Sequence, residues 1–238
     1  MRTFVTLLAF ALVVSLGGCS KKADTVTGTG TQTQSPQIPA QHFSGPTTSS
    51  TDPYAQATIT YATSINAMTS WSTAFSGLSA TQNGNTWTWS YGTSAFTETY
   101  TATKLSDGSY SWKFVLNGQV DANSPNYNNK TLFEGTTSAD GKSGTWKIYY
   151  DTSTTVLAQL DYSTDANGTV TGTYQEFDTD GTLSGKIIVT NNSDKSGEVQ
   201  YFDKTILVYK STWQANGSGT WYTYDSTTGN QTGTGTWN

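Results

Sequence analysis

The chain has 238 residues, which is enough for one ordinary domain with terminal extensions or for two small domains. Lys and Arg total 12 against 17 Asp and Glu, and this net charge of −5 excludes the basic surface that nucleic-acid binding requires. A single Cys and a single His exclude an intramolecular disulfide framework and argue against a zinc site.

The first 18 residues have the three parts of an export signal. Arg2 supplies the positive start, and residues 4–16 form an apolar stretch that is too short to span a membrane. Small residues follow, and the only Cys of the chain comes directly after them, in Leu16-Gly17-Gly18-Cys19. The sequence therefore predicts a signal peptide over residues 1–18, with cleavage after Gly18.

The segment Leu16-Gly17-Gly18-Cys19 resembles the lipobox of bacterial lipoproteins. The resemblance implies lipidation of Cys19 and anchoring to a membrane of the bacterial envelope through several acyl chains. Ser20 stands where Asp tends to retain such proteins at the inner membrane, so the resemblance implies the outer membrane, with the side left open. An ordinary signal peptide with a chance Cys is the alternative.

Residues 19–50 are rich in Ser, Thr, Gln, Gly and Pro and carry few apolar side chains. Such a stretch cannot bury enough surface to offset the entropy of an ordered chain, so we predict a flexible tether. His42 lies in it and is expected to be solvated. A single β-rich domain is predicted over residues 51–238.

A helix is predicted at the start of this domain. In Thr51-Asp52-Pro53 a capping residue precedes a Pro at the first helical position. Apolar residues then recur at helical spacing, at Tyr54, Tyr61, Ile65, Met68, Trp71 and Phe75. We therefore expect an amphipathic helix over residues 53–75 that packs on the rest of the domain.

Strands are predicted from residue 84 to the end. Trp87, Trp89 and Tyr91 alternate with Thr and Ser, and later segments repeat this period of two. Asn-Gly or Asp-Gly pairs, which favour hairpin turns, occur at 83–84, 107–108, 117–118, 140–141, 167–168, 180–181 and 216–217. The prediction is an antiparallel meander of about eleven or twelve strands that forms a curved sheet or an open or closed barrel.

A weak repeat runs through the second half of the chain. Gly-x-aromatic segments begin at Gly144, Gly172, Gly219 and Gly235, and Gly197-Glu-Val199 is a variant copy. The spacing indicates about one two-strand hairpin per repeat. The repeat is similar in texture to MORN-type hairpins. The layout of one helix and a curved sheet is similar to the open half-barrels of lipoprotein carriers of the LolA/LolB group.

Catalytic signatures are mostly absent from the sequence. The predicted domain has no His for a Ser-His-Asp triad, and the only Cys is expected to be acylated. Gly141-Lys142-Ser143 lacks the upstream Gly of a phosphate-binding loop, and the turns at Asp165 and Asp178 fit hairpins better than calcium loops. We therefore expect a protein that is not an enzyme and holds neither a metal nor a cofactor.

Two carboxylates and several aromatic rings are the candidate ligand-binding residues. Glu98 and Glu176 share the parity of apolar neighbours, and a carboxylate on an apolar face is costly unless it serves a polar site. Large rings on the same sheet can form a core, a sugar-stacking platform or a cavity lining. The candidate rings are Trp112, Trp146 and Trp221.

Three functions remain open on the sequence. The favoured hypothesis is a lipid-anchored, non-enzymatic module that binds an apolar or amphipathic ligand or an envelope protein. The alternative is a carbohydrate-binding, adhesive or structural module that uses outward residues such as Tyr222 and Tyr224. A glycosidase built on Glu98 and Glu176 is the least favoured. Its partners would thus be a membrane through Cys19 and a ligand, glycan or protein, but no nucleic acid.

Overall fold

The computed structural model describes residues 35–37, 42–69, 79–151 and 153–238. Within them lie the helices α1 (Pro53–Ser64) and α2 (Asn66–Thr69). The strands are β1 (Thr81–Asn83), β2 (Thr86–Gly92), β3 (Phe96–Lys104), β4 (Tyr110–Gly118), β5 (Tyr127–Thr137), β6 (Ser143–Tyr149), β7 (Val156–Thr164), β8 (Val170–Phe177), β9 (Leu183–Asn191), β10 (Gly197–Asp203), β11 (Ile206–Trp213), β12 (Gly219–Tyr224) and β13 (Gln231–Trp237). Each strand pairs with the next, so the sheet is an open meander with β1 and β13 at its edges.

The predicted antiparallel meander with a helix packed on it is confirmed, and the sheet is open rather than a closed barrel. The predicted strand count is too low, because β1 consists of three exposed polar residues without apolar alternation. Six of the seven predicted turns lie between strands. The exception is Asn117-Gly118, which ends β4 at a register shift where Gly118 has a φ of 92°.

The predicted helix start is also confirmed. The Asp52 side chain accepts hydrogen bonds from the backbone N–H groups of Tyr54 at 2.8 Å and Ala55 at 3.2 Å, which satisfies two donors that have no partner within the helix. The helix is interrupted by a turn at Ile65 and continues as α2. The last part of the prediction, residues 70–75, lies outside the described residues.

The pleat gives the sheet an apolar inner face and a polar outer face. The inner face bears a cross-strand row from β4 to β10 made of Trp112, Gly135, Trp146, Leu160, Tyr174, Ile187 and Tyr201. The outer face bears a row from β5 to β13 made of Thr136, Thr145, Asp161, Thr173, Ile188, Gln200, Lys210, Tyr222 and Thr234. The period of two seen in the sequence therefore separates packing from solvent contact.

Large rings of the inner face lie over Gly residues of neighbouring strands. A Cβ atom built on Gly135 would lie 2.2 Å from Cε3 of Trp146, its cross-strand partner. The same contact joins Tyr162 to Gly144, Trp213 to Gly197, Trp237 to Gly219 and Trp221 to Gly235. Gly is required at these positions because any side chain would displace the ring above it.

The sequence repeat is the same contact repeated along the sheet. Gly144, Gly172, Gly197 and Gly219 lie within the first three residues of β6, β8, β10 and β12. The predicted unit of one hairpin per repeat therefore agrees with the strand order. Gly172 differs from the others because its ring, Phe43, comes from outside the sheet, with Cζ 2.5 Å from a built Cβ.

Residues 42–50, predicted as the end of the tether, pack against the sheet. Phe43 is fully buried. The Asn66 side chain accepts from the Phe43 N–H at 2.8 Å and donates to its carbonyl at 2.7 Å. Asn191 binds the backbone of Ser44 in the same way, at 3.1 and 2.8 Å. The packed part of the chain thus begins before the predicted domain boundary, because two side-chain amides hold this segment in place.

A buried polar contact joins α1 to the inner face. Thr58 of the helix and Ser211 of β11 are both fully buried. Oγ1 of Thr58 lies 2.9 Å from Oγ of Ser211 and 2.7 Å from Oη of Tyr209. Beside this contact, Tyr54 stacks on Trp221 with ring centroids 3.7 Å apart. Hydroxyl pairing and ring stacking together set where the helix lies on the sheet.

Gly135→Ala should lower the free energy of unfolding by about 1–3 kcal/mol, because the added Cβ would overlap the Trp146 ring and lie 2.5 Å from the Thr145 carbonyl oxygen. Gly185→Ala is the matched control on the same face, since its added Cβ would meet nothing closer than 3.7 Å. Its expected change is within about 1 kcal/mol. Urea unfolding measures both variants, and equal losses would contradict the ring-over-Gly account.

Thr58→Val should lower the free energy of unfolding by about 1–3 kcal/mol, because it leaves the buried Ser211 hydroxyl without its partner, whereas Tyr209 keeps its hydrogen bond to the Tyr54 carbonyl. Thr60→Val removes a similar hydroxyl from an exposed position of the same helix, where Oγ1 donates to the Gln56 carbonyl at 2.9 Å. We expect a change within about 0.5 kcal/mol there. Thermal unfolding compares the two, and a Thr58 loss no larger than the Thr60 loss would refute the assignment.

Candidate functional site

The two predicted carboxylates both lie on the inner face but do not meet. Glu98 is on β3 and Glu176 is on β8, five strands further along the sheet. At about 4.8 Å per strand, their backbones are separated by roughly 24 Å along the sheet. Paired carboxylates in glycosidases lie within about 10 Å of each other, so this geometry does not support that reaction.

The three predicted Trp residues serve as packing groups. Trp112 and Trp146 are 1% and 0% exposed. The indole N–H of Trp112 donates to Oγ1 of Thr137 at 2.9 Å, and Trp146 stacks on Phe133 with centroids 4.9 Å apart. Trp221 is half-buried and its face is occupied by the ring that stacks on it from α1. A ligand could reach these rings only by displacing protein groups that already contact them.

Glu176 is a half-buried carboxylate in an aromatic environment. Its Oε1 accepts a hydrogen bond from Oη of Tyr174 at 2.9 Å, and its cross-strand neighbours are Ala158 and Gly185. Burial raises the pKa of the Glu176 carboxyl above its ordinary value, and this effect exceeds the lowering by the Tyr174 hydrogen bond. Burial also raises the pKa of Glu98. Each carboxylate is thus isolated from the other and partly desolvated.

Glu176→Gln should change how stability depends on pH. A carboxyl whose pKa is raised by folding favours the folded state in its protonated form, so Glu176 contributes stability that is lost as pH rises from about 4 through its raised pKa. The variant should lose less between about pH 4 and pH 7. Tyr174→Phe removes the hydrogen bond that lowers the Glu176 pKa. This variant should therefore lose more stability than the wild type as the pH rises. Urea unfolding across this pH range tests both, and a Gln variant with the wild-type profile would contradict the desolvation.

A depression of about 430 Å³ lies on the outer face across β5–β8. Nine of its twelve lining residues are Ser or Thr, and the loops that follow β3 and β5 contribute to its rim. The outward hydroxyls of the sheet itself come from Thr136, Ser143, Thr145, Ser163, Thr171 and Thr173. The sequence did not predict this site, because outward Thr residues alternate along many of the strands and nothing in the sequence marks those of β5–β8.

Asp161 is the only charged residue in the lining of the depression. Its Oδ1 accepts a hydrogen bond from Oγ1 of Thr145 at 2.6 Å, and its Oδ2 accepts one from Nε2 of Gln159 at 2.7 Å. Hydroxyls can both donate and accept, whereas an ionised carboxylate only accepts. The lining therefore offers many donors and acceptors to a ligand but no cation that would pair with an anion.

The rest of the outer face has a different character. On β10–β11, Lys210 forms an ion pair with Glu198 at 2.9 Å, and the ammonium of Lys186 on β9 lies 4.0 Å from the ring centroid of Phe202. Tyr222, an outward residue named in the carbohydrate hypothesis, lies between Lys210 and Thr234 in the same cross-strand row. It is on β12, away from the four strands of the depression, so the two places can be tested separately.

Comparison with known proteins yields no assignment: no protein-family model matches the chain, and no curated protein matches it. In the described ranges, no helix has the length and apolarity needed to cross a membrane. The same ranges contain no group of three or more His, Cys, Asp or Glu residues placed to hold a metal ion. Cys19 and the rest of the predicted lipobox lie outside the described residues.

Proposed function

We propose that this protein is a lipid-anchored envelope protein that binds neutral, hydroxyl-rich carbohydrate through the depression on its outer face. The observation that carries the proposal is a depression of about 430 Å³ lined by one carboxylate and nine Ser and Thr residues, of which Thr137 is buried with its hydroxyl bound to Trp112. The protein acts as a binding module rather than as an enzyme. Cys19, in its lipobox-like sequence, anchors it to the outer membrane.

The polarity of the two faces supports a carbohydrate over an apolar ligand. The volume lies within the range of about 300–1,000 Å³ that is typical of small-molecule sites. Its lining would leave an apolar ligand without partners for the hydroxyls that it covers, which costs about 1–3 kcal/mol for each unsatisfied group. The inner face is the place for an apolar ligand, but Trp112 and Trp146 are already enclosed there.

The carboxylate restricts the charge of the ligand. Asp161 lies among hydroxyls without Lys or Arg in the lining, so a phosphate, sulfate or uronic acid would be repelled by this carboxylate and find no cationic partner in the lining. A sugar hydroxyl can donate to the same carboxylate in a charge-assisted hydrogen bond, which is stronger than a neutral one. Neutral sugars, or sugars that carry an amino group, therefore fit this site best.

Asp161→Asn should weaken binding of a neutral polysaccharide by about 10- to 100-fold, since a hydrogen bond to a charged group contributes about 1.5–3 kcal/mol. Affinity electrophoresis of the full chain through gels that contain single polysaccharides measures the change. Tyr222→Ala is the control on the same face, and it should bind like the wild type. If the Tyr222 variant loses polysaccharide binding while the Asp161 variant keeps it, the site lies on β12 instead. If no neutral polysaccharide retards the wild-type chain, the proposal is overturned.

A further inference from the structure

The two edges of the open sheet are unlike. The first edge, β1, has three residues, whereas the last edge, β13, has seven. In the described part of the chain, β13 pairs only with β12. Proteins usually protect a long edge strand with charged residues or Pro, because its free N–H and C=O groups can pair with another strand. The strand Gln231–Trp237 has neither a charge nor a Pro.

We propose that β13 is an interface between two copies of this chain, which pair antiparallel about a two-fold axis through Thr234. In this register Thr232 of one copy lies opposite Thr236 of the other, and Gly233 lies opposite Gly235. The exposed Thr residues would then form cross-strand pairs of a kind that stabilise sheets. The proposal does not depend on what the outer face binds.

The inner side of β13 leaves room for this approach. Gly233 and Gly235 carry no side chains, and the Trp221 ring of the same copy covers Gly235, with Cζ2 2.6 Å from a built Cβ. Trp237, the ring at the end of the strand, is buried against Gly219 and donates its indole N–H to the Gly217 carbonyl at 2.8 Å. Each copy therefore packs these rings against its own glycines.

Strand length favours a closed dimer over an open filament. Pairing of β13 with β1 of another copy would build an open filament, because one β1 edge and one β13 edge always stay unpaired at its ends. Such a contact could use only the three residues Thr81–Asn83. Pairing of β13 with itself uses up to seven residues from each copy and removes both long edges. The strand carries no charged residue, so no like charges would face each other directly along the pairing.

Cysteine cross-linking tests the register. Directly opposed residues of antiparallel strands have Cα atoms about 4.5–5.5 Å apart, which is within the disulfide range. The full chain with Thr234→Cys should therefore form a disulfide dimer when oxidised glutathione is added. Thr236→Cys, on the same face of the same strand, should not, because its two copies would be roughly 13 Å apart. The wild-type chain controls for Cys19.

A mixture gives a second test of the same register. Thr232→Cys chains mixed with Thr236→Cys chains should form a heterodimer, because these two positions lie opposite each other across the two-fold axis. Dimers that form equally well from every variant would indicate random collision and overturn the proposal. So would a Thr234→Cys chain that cross-links no more than the wild type.

Sedimentation equilibrium of the full chain in detergent tests the dimer without a cross-link. Thr234→Lys places two like charges opposite each other at the axis and should shift the chain to monomer. Thr81→Lys makes the same change at an exposed position of the other edge and should leave the dimer intact. A wild-type chain that stays monomeric at high concentration, or a dimer lost in the Thr81 variant instead, would contradict the proposal.

Discussion

Trp146, Trp213 and Trp237 each lie over a Gly of the adjacent strand, at distances that leave no room for a side chain. A Gly inside a strand costs roughly 0.5–1 kcal/mol relative to Ala. A buried ring contributes on the order of 3 kcal/mol, so the exchange of a side chain for a covering ring is favourable. Repetition of this contact covers much of the inner face with a layer of aromatic rings.

The same contact gives the two faces of the sheet different roles. Rings and helix α1 occupy the inner face, so indoles such as those of Trp112 and Trp146 are buried against other protein groups. The Trp112 N–H is also bound to Thr137. The outer face is free of this requirement and carries Thr, Ser, Gln and Lys instead. Its depression is polar for this reason. The lining hydroxyls and the one carboxylate can form hydrogen bonds with a hydrated ligand.

Local patterns allowed much of the fold to be predicted from the sequence. Alternation and Asn-Gly or Asp-Gly turns are properties of a few adjacent residues, so strands such as β7 and β8 and the turn at Asn167-Gly168 follow directly. The cap at Asp52 is equally local. The Gly-x-aromatic repeat also marked its hairpins, although the ring above each Gly comes from a neighbouring strand that the motif does not identify.

Features that depend on distant residues could not be predicted in this way. Phe43 is a lone ring in a polar stretch, and its burial depends on Gly172 and on the amides of Asn66 and Asn191. Closure of the sheet depends on accumulated twist rather than on any single strand. The depression brings together residues of β5–β8 and of two loops that are far apart in the sequence, so its Thr residues look like any others there.

The most direct test of the central contact is the proton chemical shift of the glycines in the folded chain. Protons that lie over the face of an aromatic ring are shielded by its ring current. The account predicts upfield-shifted Hα signals for Gly135, Gly197 and Gly219, and ordinary shifts for Gly84, where a built Cβ would meet nothing within 4 Å. Ordinary Hα shifts at all four glycines would show that the rings do not cover them in solution and would contradict the account.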